Sequence, residues 1–367
     1  MLLSDLIPAD ELKAQMDELM VKATPHPSGR LTIFNYTKRA QYTPELWNHV
    51  TDKCRGLIVD DAGVVVARPF EKFWNLDDPR HPETLTENLP SSLPLITRKM
   101  DGSLGVGYRL DGQWFVATRG SFTSEQAVWA SAWMAEHVAG DWPEGYTPLF
   151  EIVYAENQIV VKYATSELVL LSAVAIETGE ELEYSALLQL GAKNDVRVVE
   201  AFEQTLAACT AEDVPNEEGY VAAWARPGTT PLRCKIKYAT YVRLHRLLTQ
   251  TNAVTVWEML RDGMDIAALT TDVPAEFRAW IDAMHRRFVG EFETIEAKAK
   301  VAMAAYEGGL DAADAAQKKA FALWVNERHK DVAAVLFAMI SGKDYAPIIW
   351  KTIRPRGDEP TYKVDEE

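Results

Sequence analysis

A change in hydrophobic periodicity near residue 245 constrains the fold more than any other feature of this 367-residue chain. Before it, apolar residues gather in short β-branched and aromatic runs separated by turn residues. After it, they recur three and four apart over long stretches. LTIFNY (31–36), RGLIVD (55–60) and VVVARPF (64–70) read as strands, and DDAG (60–63) joins the last two into a hairpin. LITRKM, SLGVGYRL and QWFVATRG follow, with Asp111-Gly112 between the last two in the positive-φ positions of a type I′ turn. Residues 123–138, opening with Thr123 or Ser124 as N-cap and Glu125 in the first turn, predict an amphipathic helix. LFEIVY, VVKY, ELVLLSAVAIE, EGYVAAW and CKIKY return to strand character.

From Tyr241 onward, YVRLHRLLTQ, VTVWEMLRDGM, EFRAWIDAMHRRFVGEFETIEAKAKVAMAAYE and AAQKKAFALWVNERHKDVAAVLFAMI all carry helical spacing. The expected fold class is α+β, an antiparallel-sheet domain over residues 1–244 followed by an all-helical domain over 245–367. Two cores suit this length, because single cores stop growing near ~250 to 300 residues. The polar, proline-containing tail from Arg354 to Glu367 is expected to fray.

Apolar residues at 47% and charged residues at 25% are ordinary globular usage, so the chain should fold rather than remain disordered. Cys54, Cys209 and Cys234 are too widely spaced for a disulfide framework or a zinc pair, which fits a reducing compartment. The amino-terminal MLLSDLIPADELK has no basic segment followed by an apolar run, and no stretch reaches the ~18 apolar residues of a membrane span. A soluble, monomeric, cytoplasmic protein is expected. The formal net charge of −16 opposes nucleic-acid binding at long range, yet a locally positive cleft is compatible with an acidic exterior.

The residues best placed for chemistry lie in RKMDGSLGVGY, where Lys99 stands two before Asp101, at the junction of two predicted strands. Gly102 permits a sharp turn there, and the amine would project from a rigid strand end. Lys-x-Asp-Gly alone arises by chance in roughly one chain in twenty of this length, and a surface lysine beside a β-turn is the bland alternative. Its context is more specific. CRGLIVD with Arg55, LFEIVY with Glu151, EEGYVAAW with Glu218, and CKIKY with Lys235 and Lys237 all fall on or beside predicted strands.

In that order, these segments resemble the motifs of the covalent nucleotidyltransferase superfamily of DNA ligases, RNA ligases and mRNA capping enzymes. Through KMDGSLG, FEKFWNLDD, ATRGSF, FEIVYAENQIVVKY, EGYV and KIKYATYVRLH the chain most resembles the phage-type RNA ligase 1 family. That resemblance covers the first two thirds, and it makes the 1–244 segment an adenylyltransferase domain. It implies an ATP-dependent RNA ligase, with Lys99 as the nucleophile that accepts AMP. It also implies that Arg55 meets the ribose and phosphates, that Glu151 touches the ribose, and that Asp101 assists metal placement or the later transfer steps. Lys72 in EKFWN and Arg119 in TRGS match positions that grip the outer ATP phosphates. Arg119 departs from the family's usual lysine and exchanges a point charge for a bidentate fork.

Residue types independently support parts of this chemistry. A lysine amine is a poor nucleophile at neutral pH until burial or neighbouring positive charge favours its neutral form. Alternation along a strand aims Lys235 and Lys237 at one spot, where they could supply that charge and stabilise the α-phosphate during attack. Glu151 and Glu218 sit on otherwise apolar strands, where a charge is costly unless paired or metal-bound. Magnesium, held directly or through water, is the expected partner. Phe73 and Trp74 could flank a nucleotide, but aromatic residues on strands are more often core.

No G-x-x-x-x-G-K-[ST] loop or paired-histidine zinc spacing is present. Arg246, Arg286, Arg287, Lys298, Lys300, Lys318 and Lys319 of the helical region form either a solvated face or a surface for structured RNA. The resemblance implies the latter, with a 5′-phosphate and 3′-hydroxyl RNA such as nicked tRNA as partner. Two rivals stay open: a DNA ligase or capping enzyme on the same core, and a non-enzymatic binding or assembly factor.

Overall fold

The computed structural model of the chain describes residues 1–271, 273–309, 314–356 and 361–362. It separates into two compact units, Met1–Arg243 and Leu244–Asp365. The first unit holds three sheets. One runs in order through β1 (Val21–Pro25), β2 (Leu31–Tyr36), β3 (Arg55–Asp60) and β4 (Val65–Ala67). Further along the chain come β5 (Trp74–Asn75), β6 (Leu95–Lys99), β7 (Ser103–Leu110), β8 (Gln113–Ala117), β9 (Tyr146–Val153), β10 (Glu167–Ala175), β11 (Ala201–Phe202), β12 (Gly219–Arg226) and β13 (Thr229–Lys237). They form a β10-β9-β7-β8 sheet and a β11-β6-β12-β13-β5 sheet. The α+β architecture with a helical continuation is the one read from the sequence, and β5 pairs parallel to β13, Trp74 facing Cys234.

Local chemistry explains most of these elements. The β7–β8 hairpin closes through Asp111 at φ 53° and Gly112 at φ 81°, as a type I′ turn requires. The helix Glu125–His137 starts where Ser124 accepts the Ala127 N–H as its N-cap. That helix and a second, Tyr184–Asn194, cover one face of the β9–β10 pair, burying Met134, Trp142, Phe150, Ile152, Leu168 and Leu187. The other face packs on the β1–β4 sheet through Leu31, Ile33, Ile58, Val106 and Leu149. A strand covered on both faces is apolar nearly throughout, which is why LFEIVY does not alternate.

Three expectations are corrected. VVKY forms no strand, because the Val160 and Val161 amides donate to the Asp101 carboxylate instead of to a neighbouring strand. VVVARPF leaves its sheet at Ala67. The last helical stretch breaks at His329 into Ala315–Arg328 and Ala333–Ile340, with no glycine or proline to mark the break. In the second unit the long helix Ala275–Ala304 packs Ala299 and Ala302 against Phe321, Val325, Val335, Leu336 and Ile349. Of the tail expected to fray, Tyr362 is docked, its N–H on the Thr251 carbonyl and its ring 4.9 Å from Phe277. Residues 357–360 and 363–367 lie outside the described residues. Among the described residues, no helix is long and apolar enough to cross a membrane. Cys54, Cys209 and Cys234 are free thiols, each fully buried.

Gly219 opens β12 at φ 139°, between Lys99 on one side and Lys237 on the other. A Cβ there would fall 2.0 Å from the Ile236 carbonyl oxygen, so only glycine lets the three strands meet. Gly219→Ala is therefore expected to destabilise the first unit by roughly 2–4 kcal/mol, measured as a lowered urea midpoint.

Candidate active site

Register places the three candidate lysines. Lys99 and Lys237 both pair with Gly219, while Lys235 pairs with Val221 two residues along, so all three lysines share one face of the sheet. Glu218 immediately precedes this strand and is buried to 1% exposure. Lys99 Nζ donates to its Oε2 at 2.7 Å, and Lys237 Nζ lies 3.0 Å from its Oε1. One buried carboxylate thus holds two ammonium groups from strands on either side of it.

The turn after Lys99 is pinned by its own residues. Asp101 is buried, and its Oδ2 accepts the Val160 and Val161 N–H groups at 2.9 and 2.8 Å. Its Oδ1 accepts the Tyr241 hydroxyl at 2.8 Å. Both oxygens are thus occupied by the protein, which supports a role in shaping the turn more directly than one in placing a metal. A Cβ on Gly102 would meet the Ile152 carbonyl oxygen at 2.5 Å and Glu151 Cγ at 3.1 Å. Glycine here brings the Glu151 side chain against the Lys99 turn.

A second group gathers around Tyr36, the last residue of β2. Arg119 Nη1 donates to the Tyr36 hydroxyl, with its guanidinium carbon 4.5 Å from the ring centre. Lys72 Nζ lies 3.4 Å from the same hydroxyl and within 5.0, 5.3 and 5.1 Å of the Tyr36, Trp47 and Trp74 rings. Burial alone would raise the Tyr36 phenol, but Lys72, Arg119 and Arg55 together hold it below its ordinary value. Gly56, at φ 102°, lets β3 approach to where a Cβ would sit 3.3 Å from the Arg119 backbone. Arg55 and Lys235 lie 5.5 and 5.1 Å from the Phe73 ring, which links the two groups.

The structure therefore brings Lys99, Glu218, Lys237, Gly102 and Glu151 together, gathers Arg55, Lys72 and Arg119 nearby, and joins Lys235 to both. Sequence reasoning missed Tyr36, Trp47, Tyr163 and Tyr241. Nothing in an alternating run such as LTIFNY marks its last tyrosine as different from a core residue.

The sequence model of a family described as RNA ligase matches residues 53–241, just over half of the chain, and the chain belongs to that family. A putative RNA ligase of Thermovibrio ammonificans is 32% identical over 198 residues, covering 51% of each chain. RNA ligase 1 of bacteriophage TS2126 is 29% identical over 157 residues, 38% of this chain and 39% of that one. The chain thus spans about half or less of the length of these curated relatives. Among solved structures, an archaeal ATP-dependent RNA ligase aligns over 70% of this chain and 66% of that one at 15% identity and a TM-score of 0.45, a distant likeness.

One neighbour of the cation group carries a penalty. Asp52, whose carbonyl accepts the Lys72 N–H, has a buried Oδ1 without a hydrogen-bond partner. Burial, with Glu71 and Glu83 nearby, pushes its carboxyl from 3.8 up to about 7, against the pull of Lys72 and Lys53. It lines a cavity of about 570 Å³ together with Glu71, Glu83, Arg68 and Arg233. Because the folded state holds this proton more tightly than the unfolded chain, stability falls as pH rises from about 4 to about 7. Asp52→Asn is expected to stabilise the protein by roughly 2–4 kcal/mol at pH 8 and by little at pH 4, read from urea midpoints at both pH values.

Proposed function

We propose that the chain is an ATP-dependent RNA ligase that seals a 5′-phosphate to a 3′-hydroxyl through AMP carried on Lys99. The observation that carries this reading is the sharing of the buried Glu218 carboxylate by Lys99 and Lys237. It fixes an amine at a strand end, beside a second cation and on the sheet face that also carries Lys235.

Lys99 Nζ attacks the α-phosphorus of ATP, a phosphorus–nitrogen bond forms, and pyrophosphate leaves. The amine must first lose a proton, for which Glu218 Oε2 is an acceptor within reach at 2.7 Å. Lys237 and Lys235 face the α-phosphate and offset its developing charge. Arg55, Lys72 and Arg119 grip the outer phosphates, with Tyr36 setting the spacing of the last two. AMP then passes from Lys99 to the RNA 5′-phosphate, and the 3′-hydroxyl displaces AMP to close the strand.

The carboxylates suit magnesium. Among the described residues no cluster of three or more acidic, histidine or cysteine side chains would cage a metal, and magnesium ordinarily binds through one or two carboxylates plus substrate phosphates. Glu151 would hold it directly and Glu218, already engaged by two ammonium groups, through water. The ion would supply charge neutralisation at the phosphates.

The segment after Lys237 supports a ligase of this family over a DNA ligase or capping enzyme, since helix Ala239–Gln250 follows where an OB-fold would bring short strands. RNA binding through the second unit is the finer part of the proposal. Its cations Arg287, Lys298 and Lys300 are paired with Glu291, Asp331 and Glu296, so any RNA phosphate must compete with those carboxylates. Repair of nicked tRNA by a cytoplasmic monomer is the biological use this reading implies.

Incubation with α-labelled ATP and magnesium should leave label on the chain after denaturing electrophoresis, and Lys99→Ala should abolish it. A wild-type chain that takes no label returns the reading to a binding or assembly factor. Lys237→Ala should slow labelling by about 10² or more, as loss of a transition-state charge partner does. Sealing of a nicked tRNA stem-loop faster than a linear oligonucleotide would support the tRNA assignment, and equal rates would oppose it.

A further inference from the structure

The Lys99 turn is held by a contact whose partner carries no assigned role. The Asp101 N–H, two residues after the nucleophile, donates to the Tyr163 hydroxyl at 2.7 Å. Tyr163 belongs to the irregular segment that also presents the Val160 and Val161 amides to the Asp101 carboxylate, so one stretch of chain grips the turn twice, its amide through the Tyr163 side chain and its carboxylate through two backbone N–H groups. The ring packs beside Met100, Val153, Val169 and Val199, the first of which lies between Lys99 and Asp101. Burial raises the Tyr163 phenol, and the charges of Asp101, Glu151 and Glu218 add to that against the opposing pull of the Asp101 N–H, so the hydroxyl stays protonated.

We propose that Tyr163 is a positioning residue for adenylyl transfer: by accepting the Asp101 amide, its hydroxyl fixes the turn that aims Lys99 Nζ and sets Glu151 against Gly102. This rests on the function proposed above. Phe at 163 would fill the same space but leave the Asp101 N–H without its acceptor. The turn would then relax, and displacements on the order of 1 Å at a reacting atom slow chemistry by up to about 10²-fold. Tyr163 touches no reacting atom in this scheme and acts through Lys99.

The test is single-turnover labelling of Tyr163→Phe with α-labelled ATP, because the rate constant is read from the time course and does not depend on the folded fraction. The rate constant at saturating ATP should fall by about 10-fold or more, with the ATP concentration for half-maximal rate changed less than about twofold. Pyrophosphate should discharge the labelled variant more slowly by the same factor, since forward and reverse reactions share a transition state. Tyr184→Phe, which removes a hydroxyl that donates to the Val199 carbonyl, is the matched control and should label at the wild-type rate. An unchanged rate constant in Tyr163→Phe overturns the proposal, as does a raised ATP requirement with the rate constant intact. Wild type that takes no label sinks the ligase reading itself. Labelled wild type with an unaffected Tyr163→Phe sinks only the positioning role.

Discussion

The carboxylate of Glu218, withdrawn from water between two lysines, is the interaction around which the first unit is organised. Taking an ion out of water costs several kcal/mol even after relaxation, and in return it must be bound closely. Here the return comes from two ammonium groups at 2.7 and 3.0 Å, supplied by strands that never touch each other except through β12. Holding them there demands that three strands stay in register at one glycine. Had either lysine been one residue out of phase, its side chain would point through the sheet to the opposite face. A buried ion pair of this kind contributes little to stability, so its placement at a strand end beside a tight turn is better read as chemistry than as scaffolding.

The turn itself illustrates a division of labour. Lys99, the residue expected to react, is held at its tip by a carboxylate, while the next polar residue, Asp101, faces inward and gathers two amides and a hydroxyl. Met100 between them is anchored in an apolar cluster. The strand ends at Lys99, so the chain turns between the two and Asp101 is free to face the interior. Gly102 follows because any side chain there would collide with β9 and displace Glu151.

Much of this was legible in the sequence, and what was not shares a cause. Strand-forming runs with turn dipeptides gave the hairpins, and Ser124 marked a helix start, because those signals are local. Lys99, Glu218 and Lys237 were readable from ordered motifs, and the common face of Lys235 and Lys237 from alternation, whereas Lys99 joins that face through a cross-strand register that no local signal carries. VVKY misled because its strand-like composition says nothing about a carboxylate 59 residues away that claims its amides. Tyr36, Trp47, Tyr163 and Tyr241 went unseen for the same reason. A tyrosine's role depends on which distant group its hydroxyl meets, and single-sequence patterns carry no record of that meeting. The break at His329 likewise lacks any local marker.

The buried thiols have a consequence of another kind. Cys54 precedes Arg55, and Cys234 sits between Arg233 and Lys235, so each adjoins a cation of the site along the chain while facing the interior. Burial pushes Cys54 up to about 12 and Cys234 up to about 11, leaving almost no thiolate at neutral pH. Peroxide and alkylating reagents attack the thiolate, and here they find neither the anion nor a path to it. The alternation that turns the neighbouring cations toward the site thus turns both sulfurs away from it.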